Sequence, residues 1–196
     1  MYQTLHNLVL AFHGCSRETY GKVLYDHKEL NSSTNDYDWL GNGIYFWENS
    51  YARALEWAQA HKSKENPSVV GAVLDLGYCL NLSDYGCTRA LSMAYDLLKY
   101  ESEDAETDLP RNSGKDDKPL RRLDCAVIER LHKMNEDLHR TAYDSVRGIF
   151  LKEALFIRVQ VFSKRHMYRY VSVIQTALRD ILHPRSLMVV LLEFKK

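Results

Sequence analysis

Two stretches decide how this chain reads: Phe12-His13-Gly14-Cys15-Ser16 and Leu40-Gly41-Asn42-Gly43-Ile44-Tyr45-Phe46-Trp47. The first continues an apolar run, Leu8-Val9-Leu10-Ala11-Phe12, that reads as a buried β-strand ending in His-Gly. In the second, two glycines precede an aromatic strand, so the backbone can turn tightly and a ligand can approach it closely. Each signal is weak alone. A histidine after a strand is ordinarily a structural hydrogen-bonding residue, and a G-x-G before an aromatic is ordinarily a turn.

Outward from these stretches, the 196 residues read as one domain, 1–196, large enough to bury most of its apolar surface. Lys+Arg 26 balances Asp+Glu 26, so no global charge favours nucleic acid or an anionic membrane, although a local basic groove is compatible. Cys15, Cys79, Cys87 and Cys125 form no C-x-x-C pair, which argues against a zinc site or a disulfide framework. His6, His13, His27 and His61 share no ligand spacing with a carboxylate, so no metal is expected. There is no secretory leader pattern and no apolar stretch of about 18 residues. A cytoplasmic chain with reduced thiols and no membrane partner is the expectation.

Residues 17–38 are polar and read as a long loop, or loop plus helix, between the two strands. Asn49 or Ser50 can cap a helix from about Tyr51 to Lys62, with Ala54, Trp57, Ala58 and His61 on one face. Val69 to Leu76 reads as a buried strand, followed by a turn at Gly77 and extended chain to Leu82. Arg89 to Tyr100 and Leu120 to Ala142 carry helical spacing, the second with Leu123, Val127, Leu131, Met134 and Leu138 as its inward stripe. Between them, 101–119 is an acidic, nearly apolar-free loop. Short strands with helices inserted between them predict an α+β domain.

An imidazole and an aromatic at two strand ends suit a flat heterocycle carried on a ribose. His-Gly, Gly-Asn-Gly-Ile-Tyr and the following Ala54-Leu55-Glu56-Trp57-Ala58, in this order with about thirty residues between the first two, resemble the signature of the ADP-ribosyltransferase superfamily. The likeness is to its poly(ADP-ribose) polymerase-like His-Tyr-Glu branch and to bacterial toxin-type members. Gly71 to Leu82 and Tyr143 to Phe150 also look like segments of such domains, so the resemblance covers about residues 8–153. It implies split mixed and antiparallel sheets with inserted helices, and NAD+ as co-substrate. It further implies that His13 bonds the adenosine ribose, that the Gly14 backbone holds the carboxamide, and that Tyr45 packs on the nicotinamide ring. Trp57 would close the second face, one place off the usual spacing. Arg147 would bind a pyrophosphate, as guanidinium forks fit phosphate, or would pair with Asp144.

The branch also uses a glutamate entering a late strand, where a carboxylate stabilises positive charge developing on the ribose. Glu153, ahead of Ala154-Leu155-Phe156-Ile157, stands where that residue is expected. The tail 154–196 otherwise departs from the family. Codons exist for Lys164 to Val171 that, entered at the third base, spell K-T-H-V-Q-I-C, the family's own continuation. Either the tail is divergent and Glu153 is catalytic, or the coding sequence shifted frame just after Glu153 and the family's glutamate is lost. On the second reading, residues 154–196 were not selected to pair as central strands, and Ser186 to Phe194 forms an apolar, sticky terminus.

The resemblance implies an NAD+-dependent mono-ADP-ribosyltransferase, a toxin or phage-defence effector acting on a protein or nucleic-acid acceptor, with an antitoxin as expected partner. The alternatives are a catalytically degenerate module that binds NAD+ or a partner, and an unrelated α+β domain.

Overall fold

The structure is a computed structural model describing residues 8–61, 66–114, 120–153 and 170–178, with 150–153 and 170–178 described by their backbone alone. In chain order the elements are β1 (Leu8–Ser16), α1 (Arg17–Leu24), β2 (Ile44–Glu48), α2 (Tyr51–His61) and β3 (Pro67–Asp75). They continue with β4 (Cys79–Asn81), α3 (Tyr85–Asp104), α4 (Arg122–Asp137), β5 (Ser145–Glu153) and β6 (Tyr170–Leu178). The strands form a 6-stranded sheet in the order β3-β1-β2-β6-β5-β4. Every neighbouring pair is antiparallel except β4 and β5. This is the α+β architecture expected from short strands with inserted helices.

The expected split into separate sheets is not how these strands pair. β6 bonds β2 on one side and β5 on the other, so the two halves join in one ladder. The discontinuity lies elsewhere. β1 pairs with β3 from Leu8↔Asp75 to Ser16↔Pro67, yet with β2 only at Ala11↔Glu48 and Phe12↔Trp47. Beyond Phe12, where His13 and Gly14 follow, the β1–β2 ladder stops.

Strand alternation sorts the core. Ala11, Ile44, Phe46, Ala72 and Leu74 pack together on one face, while Phe12, Trp47 and Val69 meet Ala54 of α2 on the other. Leu40, Leu80, Ile128, Leu131 and Val146 form a third cluster beneath α3 and α4. Leu40, Leu74, Leu80 and Leu131 are essentially fully buried, each contributing about 1.5–3 kcal/mol of transfer free energy.

Three boundaries differ from expectation for visible reasons, and over 17–38 the loop-plus-helix alternative is the one observed. His13 and Gly14 lie inside β1, not at its end, because β3 supplies partners as far as Ser16. α1 fills part of the 17–38 stretch, and Ser16 Oγ caps it by accepting from Thr19 N–H. α3 continues to Asp104 through the first acidic residues, where Arg130 holds Glu101 with bonds of 2.8 and 2.7 Å. α4 stops at Asp137, short of Ala142, because His139 adopts φ 50 and Arg140 N–H turns back to the Asn135 carbonyl.

Part of the tail takes a place in the sheet. Tyr170–Leu178, on the far side of Glu153, is a central strand. Its alternating Val171, Val173 and β-branched Ile174 suit a strand whatever their origin. Lys164 to Arg169 and Ser186 to Phe194 lie outside the described residues.

Candidate ligand site on the His-Gly and Gly-Ile-Tyr strands

The fold brings the two signature stretches side by side. His13 Nδ1–H donates to the Tyr45 carbonyl at 2.8 Å, bridging β1 and β2 where their ladder has stopped. That bond selects the tautomer in which Nε2 is an acceptor, the atom suited to a hydroxyl donor. The imidazole lies beside Phe46, with ring centroids 5.6 Å apart, on the sheet face of Ala11 and Phe46.

Gly14 is needed for packing whatever else it does. A Cβ there would lie 2.2 Å from the Ala54 carbonyl oxygen and 3.3 Å from Ala58 Cβ, so α2 sits directly on the bare backbone. Gly41 has the same character. It adopts φ 78, and the group nearest its missing Cβ is Glu129 Oε1 at 2.5 Å. The close approach that the Gly-Asn-Gly stretch permits is made by α4, and Glu129 Oε1 accepts from Asn42 N–H at 2.8 Å.

Tyr45 belongs to the same turn. Its hydroxyl donates to the Gly41 carbonyl at 2.6 Å and accepts from Leu40 N–H at 3.1 Å. The ring packs against the cluster beneath α3 and α4, on the opposite sheet face from His13. Burial, with Asp38 nearby, pushes the phenol well above its ordinary pKa, so it stays a proton donor. The strand pair thus joins His13 to the Tyr45 backbone and separates the two side chains.

Trp57 is half-buried in α2, packed with the Phe12–Trp47 cluster and stacked on His61 with centroids 5.0 Å apart. Arg147 does not pair with Asp144, which instead accepts from Tyr78 N–H at 2.7 Å. Its guanidinium grips Glu48 through Nε at 3.0 and 3.2 Å and Nη2 at 2.8 Å. The fork expected to meet a pyrophosphate is therefore closed on a carboxylate.

Glu153 stands apart. Tyr45 pairs with Ala177, which pairs with Val146, and Glu153 lies seven residues further along β5. At about 3.3 Å per residue that is roughly 23 Å from the Tyr45 row. The register does not bring it to His13 and Tyr45.

Glu48 is the residue that sequence reasoning missed. It is buried, on the face of Ala11 with which it pairs, and its side chain is 1% exposed against 31% for Arg147. The signal was available: alternation from Ile44 and Phe46 carries an acid onto the inward face, where a charge requires a partner. Among the described residues no His, Cys, Asp and Glu cluster could hold a metal ion, and no helix is long and apolar enough to cross a membrane. Comparison with protein-family models, curated proteins and solved structures finds no match to this chain.

Proposed function

We propose that this chain descends from NAD+-dependent mono-ADP-ribosyltransferases of the toxin or phage-defence type, with the NAD+ site at the His13–Tyr45 strand pair. The observation that carries the reading is the hydrogen bond between His13 and the Tyr45 carbonyl. Two stretches singled out for one ligand, 32 residues apart, lie side by side at the point where β1 and β2 cease to pair. His13 Nε2 would accept from a ribose hydroxyl, and the Gly14 backbone would meet the carboxamide. The Tyr45 ring would take the nicotinamide only if the 40–45 turn opens. The acceptor is a protein side chain or a nucleobase, and the setting is cytoplasmic beside an antitoxin.

A second reading is favoured by a specific placement: Glu153 lies some seven residues along β5 from the Tyr45 row, and Arg147 is held by Glu48. On it the chain holds NAD+ without turning it over.

Nicotinamide release and calorimetric NAD+ binding separate the two. The comparison uses the native chain, its Glu153→Gln and Glu48→Gln variants, and a version with the reading frame restored after Glu153. Turnover lost in Glu153→Gln assigns that glutamate to the chemistry. Binding without turnover, with turnover gained on restoring the frame, identifies an inactivated transferase. Native affinity in His13→Ala, or no NAD+ binding by any version, refutes the site.

A further inference from the structure

A cavity of about 620 Å³ opens between α3, the first turns of α4 and the loop before β2, and none of His13, Gly14, Tyr45, Trp57 or Arg147 lines it. That volume lies within the roughly 300–1,000 Å³ of small-molecule sites. Its walls are mainly apolar, built from Leu91 and Tyr95 of α3, Ile128 of α4 and Trp39 of the loop. Trp39 is held from behind: a Cβ at Gly148 would lie 2.6 Å from its ring, so the indole lies directly on β5.

The polar groups are few and unbalanced. Arg121, Asp124 and Asp96 reach the cavity. Arg121 lies 3.4 Å from Asp124, which also accepts from Asn112 Nδ2 at 2.7 Å, so that cation is already matched. Asp96 has no ion pair or hydrogen bond among the described residues, and neither has the Tyr95 hydroxyl. What remains among the described lining residues is one carboxylate, that of Asp96 exposed on α3, together with the rings of Trp39 and Tyr95. Ammonium groups are drawn to that combination, by the carboxylate and by the ring faces together. A carboxylate ligand would meet Asp96 with no unmatched cation among the described lining residues to offset it.

We propose that this cavity binds aromatic ammonium compounds, with the ring between Trp39, Tyr95 and Ile128 and the ammonium at Asp96. This site is independent of the NAD+ reading and stands or falls without it.

The test uses the full chain and three probes of one shape: 2-phenylethylammonium, 2-phenylethanol and 3-phenylpropionate, titrated by ligand-observed and ¹H–¹⁵N NMR. The expected result is at least about fivefold preference for the ammonium over the alcohol, and weaker binding still of the carboxylate. Asp96→Asn should weaken the ammonium about three- to fivefold. Ser92→Trp fills the mouth from a residue exposed on α3, and should abolish binding of the ammonium while leaving the ¹⁵N spectrum of the folded chain in place. Equal binding of the three probes, preference for the carboxylate, or indifference to both substitutions overturns the proposal. Saturating NAD+ should leave the titration unchanged; competition between the two would place the ammonium in the His13 site and also overturn it.

Discussion

Removing either partner of the Glu48–Arg147 pair should have very different consequences, because the two are buried to different depths. The Glu48 side chain is 1% exposed and Arg147 is 31% exposed. In Arg147→Met, the Glu48 carboxyl group is left in the interior without the three guanidinium bonds of 2.8–3.2 Å. Breaking a buried pair in this way costs about 3–5 kcal/mol. In Glu48→Gln the buried group becomes neutral at the same size, and Arg147 can swing its charged end to solvent. That should cost about 1.5–3 kcal/mol, the worth of a hydrogen bond to a charged group. The double substitution Glu48→Leu with Arg147→Met removes both charges and should lie within about 1–2 kcal/mol of the native chain. Urea unfolding followed by far-ultraviolet circular dichroism measures all three. If Glu48→Gln costs as much as Arg147→Met, or the double change costs as much as Arg147→Met alone, the argument from burial is wrong.

Other expectations follow from single contacts. Gly14→Ala should destabilise by about 1–3 kcal/mol, because the group 2.2 Å from the new Cβ is a backbone oxygen that cannot rotate away. Adding Ala58→Gly should not rescue it, and rescue in the same urea assay would show that the side chain was the obstacle. Tyr45→Phe removes a donor to Gly41 and an acceptor for Leu40 N–H, and should cost about 1–3 kcal/mol without moving the ring. Thiol chemistry gives a test in pH. Burial, then Glu129, pushes Cys125 up to about 11, so its reactive thiolate is scarce at pH 8 and grows about tenfold per pH unit towards that value. Cys79, raised by burial, behaves alike in direction. Iodoacetamide mapping by mass spectrometry should therefore find Cys125 nearly unlabelled at pH 7 and labelled as pH rises; prompt labelling at pH 7 contradicts the placement.

The strands and helices were legible where one periodicity ran unbroken. Val69 to Leu76 and the Leu123–Val127–Leu131–Met134 stripe emerge as β3 and the inner face of α4. Boundaries failed where a distant partner decided them. No apolar stripe continues through Ser102, Glu103 and Asp104, and Arg130 on α4 anchors Glu101 beside them. The glycines were legible as sites of close approach, but which group approaches is a tertiary fact. At Gly14 it is the Ala54 carbonyl and at Gly41 it is Glu129. Arg147 shows the same limit. Sequence proximity suggested Asp144, whereas strand order placed Glu48 within reach across β6.

The position of β6 sharpens what the tail has to explain. It pairs with β2 at Ile44–Trp47 and with β5 along Ser145–Glu153, so it is the strand through which the His-Gly half of the sheet is tied to the half that carries Arg147. Glu48 and Arg147 make the same tie a second time, by charge across the strand between them. If the tail is off-frame, the ion pair belongs to the older part of the chain and would have to hold the two halves together whatever strand lies between. Replacing Tyr170–Leu178 should then weaken Arg147→Met chains far more than native ones. If the tail is the selected sequence, the ladder carries the junction, and the two changes should add. A double-perturbation cycle on stability thus bears on the history of the reading frame without reference to catalysis.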